Sequence, residues 1–231
     1  MCFDSAIMRQ SLVFSLVMMV TFMPKSDAKC AFQAIFNFGD SNSDTGAFYS
    51  AFSSQSSPNG MTYFKTPTGR ATDGRVYIDF LAQALGLPFI SPYLQSIGSD
   101  YRHGANFATL ASTVFQPTTS LFDSGVSSFY LGVQLNQMKL FKAKVDESGG
   151  QCNLPSFDIF GNALYTINIG QNDITGYLGS GGPDGVKQNA PQVISQITST
   201  IKEPYWLGGR TFLVINLAPV GCYPRFLAEL S

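Results

Sequence analysis

Three short runs of consecutive apolar residues stand out along the chain: Ala34 to Phe38, Leu164 to Ile169 and Thr211 to Leu217. Each is followed by Gly, Asp, Asn or Pro, the signature of buried strands in a parallel sheet. Between them the apolar positions recur at helical spacing. Val76 to Leu85 is apolar on one face, with Asp73 as a candidate N-cap, Gly86 at its stop and Pro88 beyond. Leu131, Leu135, Met138 and Val145 form a second stripe, and Val193, Ile194, Ile197 and Ile201 a third, ahead of Pro204. Ser53 to Gly60 and Gly179 to Gly185 are rich in Gly, Ser and Pro and are expected to be surface loops. Strands alternating with helices predict a doubly wound α/β fold in one domain.

A different pattern occupies the N-terminus. Ser11 to Met23 is almost wholly apolar, Arg9 precedes it, and Ser26 and Ala28 make a small-x-small site. A span of this length is short of the about 20 residues a bilayer needs. It is expected to be a cleaved secretory signal over residues 1–28, leaving a domain over 29–231 with no stable membrane anchor. The mature chain would then hold Cys30, Cys152 and Cys222. An odd count in an oxidising compartment leaves their pairing open.

Composition narrows the chemistry. The 231 residues carry 14 basic and 15 acidic side chains, so the basic footprint of a nucleic-acid binder is missing. With 45% hydrophobic residues and 20 Phe, the chain can build a core and is not of the disordered class. It has a single histidine, His103, which excludes multi-histidine metal sites. The glycines of 179–185 lack the Lys-Ser/Thr of a phosphate loop, and no cofactor is expected.

Candidate chemistry gathers where the first strand runs into Gly39-Asp40-Ser41-Asn42-Ser43-Asp44-Thr45-Gly46. Ligands of open α/β sheets bind at the carboxyl ends of strands. A serine there, with a helix beginning at it, would present a nucleophile and an N–H toward a developing oxyanion. The same serines would serve equally as helix caps in a polar turn.

The Gly39–Gly46 stretch closely resembles the first sequence block of the GDSL esterase/lipase family, the SGNH hydrolases. Plant members are resembled further, in order, by Thr68-Gly-Arg-Ala-Thr-Asp-Gly-Arg75, Ile78-Asp-Phe80, Gly104-Ala-Asn-Phe-Ala-Thr109, Gly170-Gln-Asn-Asp173 and Asn216-Leu-Ala-Pro-Val-Gly-Cys-Tyr-Pro224. Early-nodulin-like esterases and proteins named α-fucosidase are among those similar plant members. The resemblance implies a three-layer α/β/α fold with a parallel, flavodoxin-like sheet. It implies a secreted esterase or lipase of the cell wall or apoplast, acting through a serine acyl-enzyme on a small-molecule, lipid or acylated-glycan ester. By the same resemblance Ser41 is the nucleophile. The oxyanion hole would comprise the Ser41 N–H, the Asn172 amide and a third backbone N–H. Family members place a glycine at that third position; counting from Asn106 reaches Ala111, with Gly104 the nearest glycine.

The family's base and its orienting acid come from an Asp-x-x-His block after the Asn-Leu-Ala-Pro segment. No such block follows Asn216 here. Asp100 and His103 have the spacing but precede the second block, so a polar loop or strand-start role is expected for His103 rather than service as a substitute base. The resemblance thus implies a C-terminally shortened domain with impaired turnover, or else a product that binds a ligand or partner without turnover.

Overall fold

A computed structural model describes residues 31–52, 54–119, 121–150 and 153–230. The expected signal segment, Cys30 and Cys152 lie outside the described residues. Strands β1 (Ala34–Gly39), β2 (Gly104–Asn106), β3 (Ala163–Asn168) and β4 (Thr211–Val214) form one sheet in the order β2-β1-β3-β4, with every pairing parallel. This is the flavodoxin-like order, in which β1 is central and the chain reverses direction beside it.

The helices are α1 (Ala47–Ala51), α2 (Tyr77–Leu85), α3 (Leu121–Ser124), α4 (Leu131–Ser148), α5 (Gln171–Trp206) and α6 (Pro224–Leu230). They cover the sheet on two sides, as the alternation along β1 dictates. Ala34, Phe36 and Phe38 point into the larger core with Leu131, Met138, Phe141 and Val145 of α4 and Val193 of α5. Ile35 points the other way, into a smaller core with Ile78 and Ala82 of α2. The result is the three-layer α/β/α arrangement.

Several local expectations are corrected. The strand expected to reach Leu217 ends at Val214, and the short β2 carries no apolar run to announce it. Val76, not Asp73, caps α2; its N–H donates to the Asp79 carboxylate at 3.1 Å. Gly86 does end α2 in the left-handed conformation, with φ 72°.

The expected loop at 179–185 is helical within α5, broken only at Gly182 (φ 60°, ψ −158°). Pro183 then opens the second helical segment, where its missing N–H is not needed. Gly185 permits the join, because a Cβ there would lie 2.8 Å from the Tyr177 carbonyl. Pro204 sits inside the helix rather than after it.

Candidate active site

The carboxyl ends of β1, β2 and β3 each deliver one sequence-predicted site residue. Gly39 closes β1 and leads to Ser41; Asn106 closes β2 and leads to Ala111; Asn168 closes β3 and leads to Asn172 in the first turn of α5. Hydrogen bonds tie the three segments together beside those residues. Next to Ser41, Asn42 Nδ2 donates to Gln171 Oε1 at 3.3 Å. On one side of Ala111, the Leu110 N–H donates to Asp44 Oδ2 at 2.7 Å. On the other, the Ser112 carbonyl accepts from Asn172 Nδ2 at 2.7 Å. Ser41, Ala111 and Asn172 therefore sit on one hydrogen-bonded rim at the ligand-binding end of the sheet.

The rim rests on a buried polar ladder that crosses three strands. Thr166 Oγ1 of β3 donates to Asn37 Oδ1 of β1 at 2.6 Å, and Tyr77 of α2 donates to the same oxygen at 3.0 Å. Asn37 Nδ2 donates to Asn106 Oδ1 of β2 at 2.7 Å. Asn106 Nδ2 then donates to the Ser43 carbonyl at 2.6 Å and to Thr45 Oγ1 at 2.9 Å. Buried amides bonded in this way rigidify what they touch, and here that is the loop carrying Ser41.

The Ser41 loop is not the start of a helix, which corrects the expectation from sequence. Helix α1 begins six residues later, and Asp44 holds its start: Oδ1 accepts from Gly46 and Ala47 at 2.7 Å each, Oδ2 from Phe48 at 3.1 Å. Neither Ser41 nor Ser43 caps it. The turn of Ser41 itself is set by Asp40, whose carbonyl accepts from the Ser43 and Asp44 N–H groups at 3.1 and 3.0 Å. The Ser41 side chain is half-buried, and among the described residues its hydroxyl has no hydrogen-bond partner.

Two carboxylates flank the rim. Burial pushes the Asp40 carboxyl up to about 6, against two hydrogen bonds from Asn42 and with added repulsion from Asp173. Burial likewise raises the Asp173 carboxyl, against N–H groups of Val114 and Phe115 that hold the β2–α3 connection to α5.

Ala111 adopts φ 63°, the left-handed conformation that a Cβ disfavours. Its carbonyl accepts from Ser127 at 2.9 Å, while its N–H has no acceptor among the described residues. Ala111→Gly should therefore relieve strain at small entropic cost, a net gain of about 0.5–1 kcal/mol visible as a higher melting temperature. An unchanged or lower melting temperature would show the strain is absent.

Asn172 spends one amide hydrogen on Ser112 and keeps the second. Beside it lies a cavity of about 320 Å³ walled by Phe115, Val126, Gly176 and Tyr177. Gly104, the alternative donor, is elsewhere. It pairs with Ile35 near the amino end of β1 and gives its N–H to the Tyr101 carbonyl at 3.0 Å. A Cβ on Gly104 would fall 2.0 Å from the Ile35 carbonyl, so its glycine is a packing requirement.

His103 precedes Gly104 and shares that amino end. Its Nδ1 lies 2.9 Å from the Gln33 carbonyl, and its own carbonyl accepts from Ile35. About 15 Å of strand separate that end from Ser41, so His103 is not a base for Ser41. Asp100, its apparent acid partner, bonds Arg102 instead, which holds the Asp100 carboxyl down at about 2. Sequence reasoning missed Gln134 of α4, whose buried amide brackets Gly39: Oε1 accepts from the Gly39 N–H at 3.0 Å and Nε2 donates to its carbonyl at 2.8 Å. A glutamine on the apolar face of an otherwise amphipathic stripe was the only signal.

Residues 35–231 match the family described as GDSL-like lipase/acylhydrolase. The chain belongs to that family. It is 64% identical over 222 residues to a GDSL esterase/lipase of Arabidopsis thaliana, covering 93% of this chain and 58% of that protein. It is 44% identical to alpha-L-fucosidase 3 of the same plant (92% and 59% covered) and 45% identical to an esterase of Hevea brasiliensis (84% and 51%). The chain thus spans between half and three-fifths of the length of these relatives. Two of these relatives carry names of the ester-hydrolysing class. No helix among the described residues is long and apolar enough to cross a membrane.

Proposed function

We propose that the chain acts on carboxylic esters through an acyl-enzyme at Ser41. Ser41 Oγ attacks the ester carbonyl carbon, the alcohol leaves, and water then releases the carboxylic acid from the acylated serine. The Ser41 and Ala111 N–H groups and the free Asn172 amide hydrogen receive the oxyanion; one such donor is worth about 3 kcal/mol. The observation that carries this reading is the bonded rim that joins exactly these three segments at the carboxyl ends of adjacent strands. The substrate is a small-molecule, lipid or acylated-glycan ester. The apolar run before Ser26 and Ala28 supports export of the protein to the cell wall or apoplast, with the mature chain starting near Lys29.

A second reading rests on one observation: His103, the single histidine, lies at the opposite end of the sheet from Ser41. Without imidazole the proton of Ser41 passes only to water, and the 231 residues bind an ester with little turnover. Hydrolysis of p-nitrophenyl acetate, with mass spectrometry for acetyl-Ser41, separates the two. Acetylation of Ser41 that disappears in Ser41→Ala supports the acyl-enzyme. Turnover indifferent to Ser41→Ala overturns it, and no turnover with saturable ester binding favours the second reading.

A further inference from the structure

The Thr68–Arg75 segment takes no part in the rim around Ser41, yet it is built with care. Gly69 crosses Gly46 so closely that a Cβ on Gly69 would lie 2.3 Å from the Gly46 Cα. Both glycines have positive φ, 83° and 133°. Gln55 clamps the crossing, accepting from the Gly69 N–H at 2.7 Å and donating to the Arg70 carbonyl at 2.7 Å. Arg70 locks it from beneath, with a bidentate pair to buried Asp79 at 2.7 and 3.1 Å and two further bonds to the Thr45 and Thr68 carbonyls.

This crossing is one wall of a cavity of about 610 Å³, well inside the roughly 300–1,000 Å³ of small-molecule sites. Tyr49, Phe64 and Phe89 contribute rings; Phe64 and Phe89 meet edge-to-face at 5.9 Å. Ser50, Ser91 and Gln95 contribute hydroxyl and amide groups between them. Ser50 donates to the Gly46 carbonyl at 2.7 Å, Ser91 Oγ accepts from the Asp100 N–H at 3.1 Å, and Gln95 Nε2 donates to the Ile97 carbonyl at 3.0 Å. Each keeps unspent capacity: the lone pairs of Ser50, the hydroxyl proton of Ser91, the amide oxygen of Gln95. Among the described residues Arg70 is the only charged one of the lining, and Asp79 neutralises it.

We propose that this cavity binds a neutral saccharide. The C–H faces of a sugar ring pack on aromatic rings, and its hydroxyls exchange hydrogen bonds with serine hydroxyls and side-chain amides. A free cation would select an anion, and a wholly apolar lining would select a lipid; the cavity presents neither. The two-glycine crossing and the Gln55 clamp pre-form the wall, which lowers the ordering cost of binding. The site shares Thr45 and Gly46 with the loop that follows Ser41, but recognition here needs no chemistry at Ser41.

The test is calorimetric titration of the 231-residue chain carrying Ser41→Ala, so that binding is read without turnover. The probes are xylotetraose and cellotetraose, with trigalacturonate as the anionic control. Saturable binding of a neutral tetrasaccharide is expected with millimolar or tighter affinity. Gln95→Leu should weaken it about fivefold by removing one hydrogen-bonding group, and Tyr49→Ala about tenfold by removing a ring. Gln95 is exposed, so its substitution tests the site without threatening the fold. The proposal is overturned by no saturable binding up to about 10 mM, by preference for trigalacturonate, or by binding that both substitutions leave unchanged. Because the protein lacks Ser41, none of these outcomes bears on the ester chemistry, and loss of Ser41 acetylation does not bear on the sugar.

Discussion

Gln134→Leu is expected to cost about 1–3 kcal/mol of folding stability, although leucine is as good a helix former. Strand β2 ends at Asn106, opposite Asn37, and past it that edge of β1 keeps one backbone bond at Gly39, from the Thr109 N–H to the Gly39 carbonyl at 3.3 Å. Gln134 supplies the rest from its side chain, accepting from the Gly39 N–H, donating a second bond to the Gly39 carbonyl and a third to the Phe129 carbonyl at 3.1 Å. Leucine fills the volume but leaves the Gly39 N–H without a partner in a site where Gln134 is fully buried, while the Gly39 and Phe129 carbonyls keep the Thr109 N–H and the Ser112 hydroxyl. One orphaned buried donor costs about 1–3 kcal/mol. The neighbouring Gln137 supplies the control, since its buried Oε1 has no partner. Gln137→Leu should be neutral or stabilising. Equal denaturation midpoints for Gln134→Leu and wild type would remove Gln134 from the support of the Ser41 loop.

The contrast between these two glutamines shows what a one-dimensional pattern can carry. Runs such as Ala34–Phe38 and Leu164–Ile169 announce β1 and β3, because a parallel strand buried on both faces reads as a continuous apolar stretch. Strand β2 is Gly-Ala-Asn, and its place at the edge is fixed by pairing with Ile35, Phe36 and Asn37, which no local propensity encodes. The expected loop at 179–185 is helical for the opposite reason. Its glycines favour a loop, but burial of Leu178 against Val220 and Phe226 holds the chain helical up to Gly182. Tertiary packing outweighed propensity there.

The site was legible to a similar degree. Ser41 and Asn172 follow strand ends, and that relation is visible in sequence because strand ends are. Ala111 was reachable by counting along the second block, and its left-handed backbone is the physical mark of a position that suits glycine. What sequence could not give is the support. Asn37, Asn106, Asp44 and Gln134 are polar residues whose partners lie 60 or more residues away in several cases, such as Asn37 with Thr166 and Asp44 with Leu110. Buried polar groups need partners, but which partner is a property of the assembled sheet.

Asp40→Asn is expected to change how stability depends on pH, by about 3 kcal/mol between pH 4 and pH 8. Burial raises the folded Asp40 carboxyl to about 6, and its Oδ2 has no partner. An unfolded aspartate titrates near 3.9. Below pH 4 both states hold the proton, and the neutral acid suits the buried site. Between about pH 4 and 6 the unfolded chain releases its proton while the folded chain keeps it, so stability falls as pH rises. Above 6 the folded state carries an ionised, half-satisfied carboxylate, and the loss is complete. Asparagine matches the neutral acid in shape and keeps an oxygen for Asn42, which bonds Asp40 Oδ1 through its backbone and side-chain nitrogens. The variant should equal wild type near pH 4 and exceed it progressively up to pH 8. Asp44 and Asp173, also raised by burial, titrate in both proteins and largely cancel in the difference. Denaturant unfolding of the pair at several pH values reads this directly. A difference that stays flat with pH would mean that Asp40 is not destabilised by charge, and that the turn before Ser41 carries no such strain.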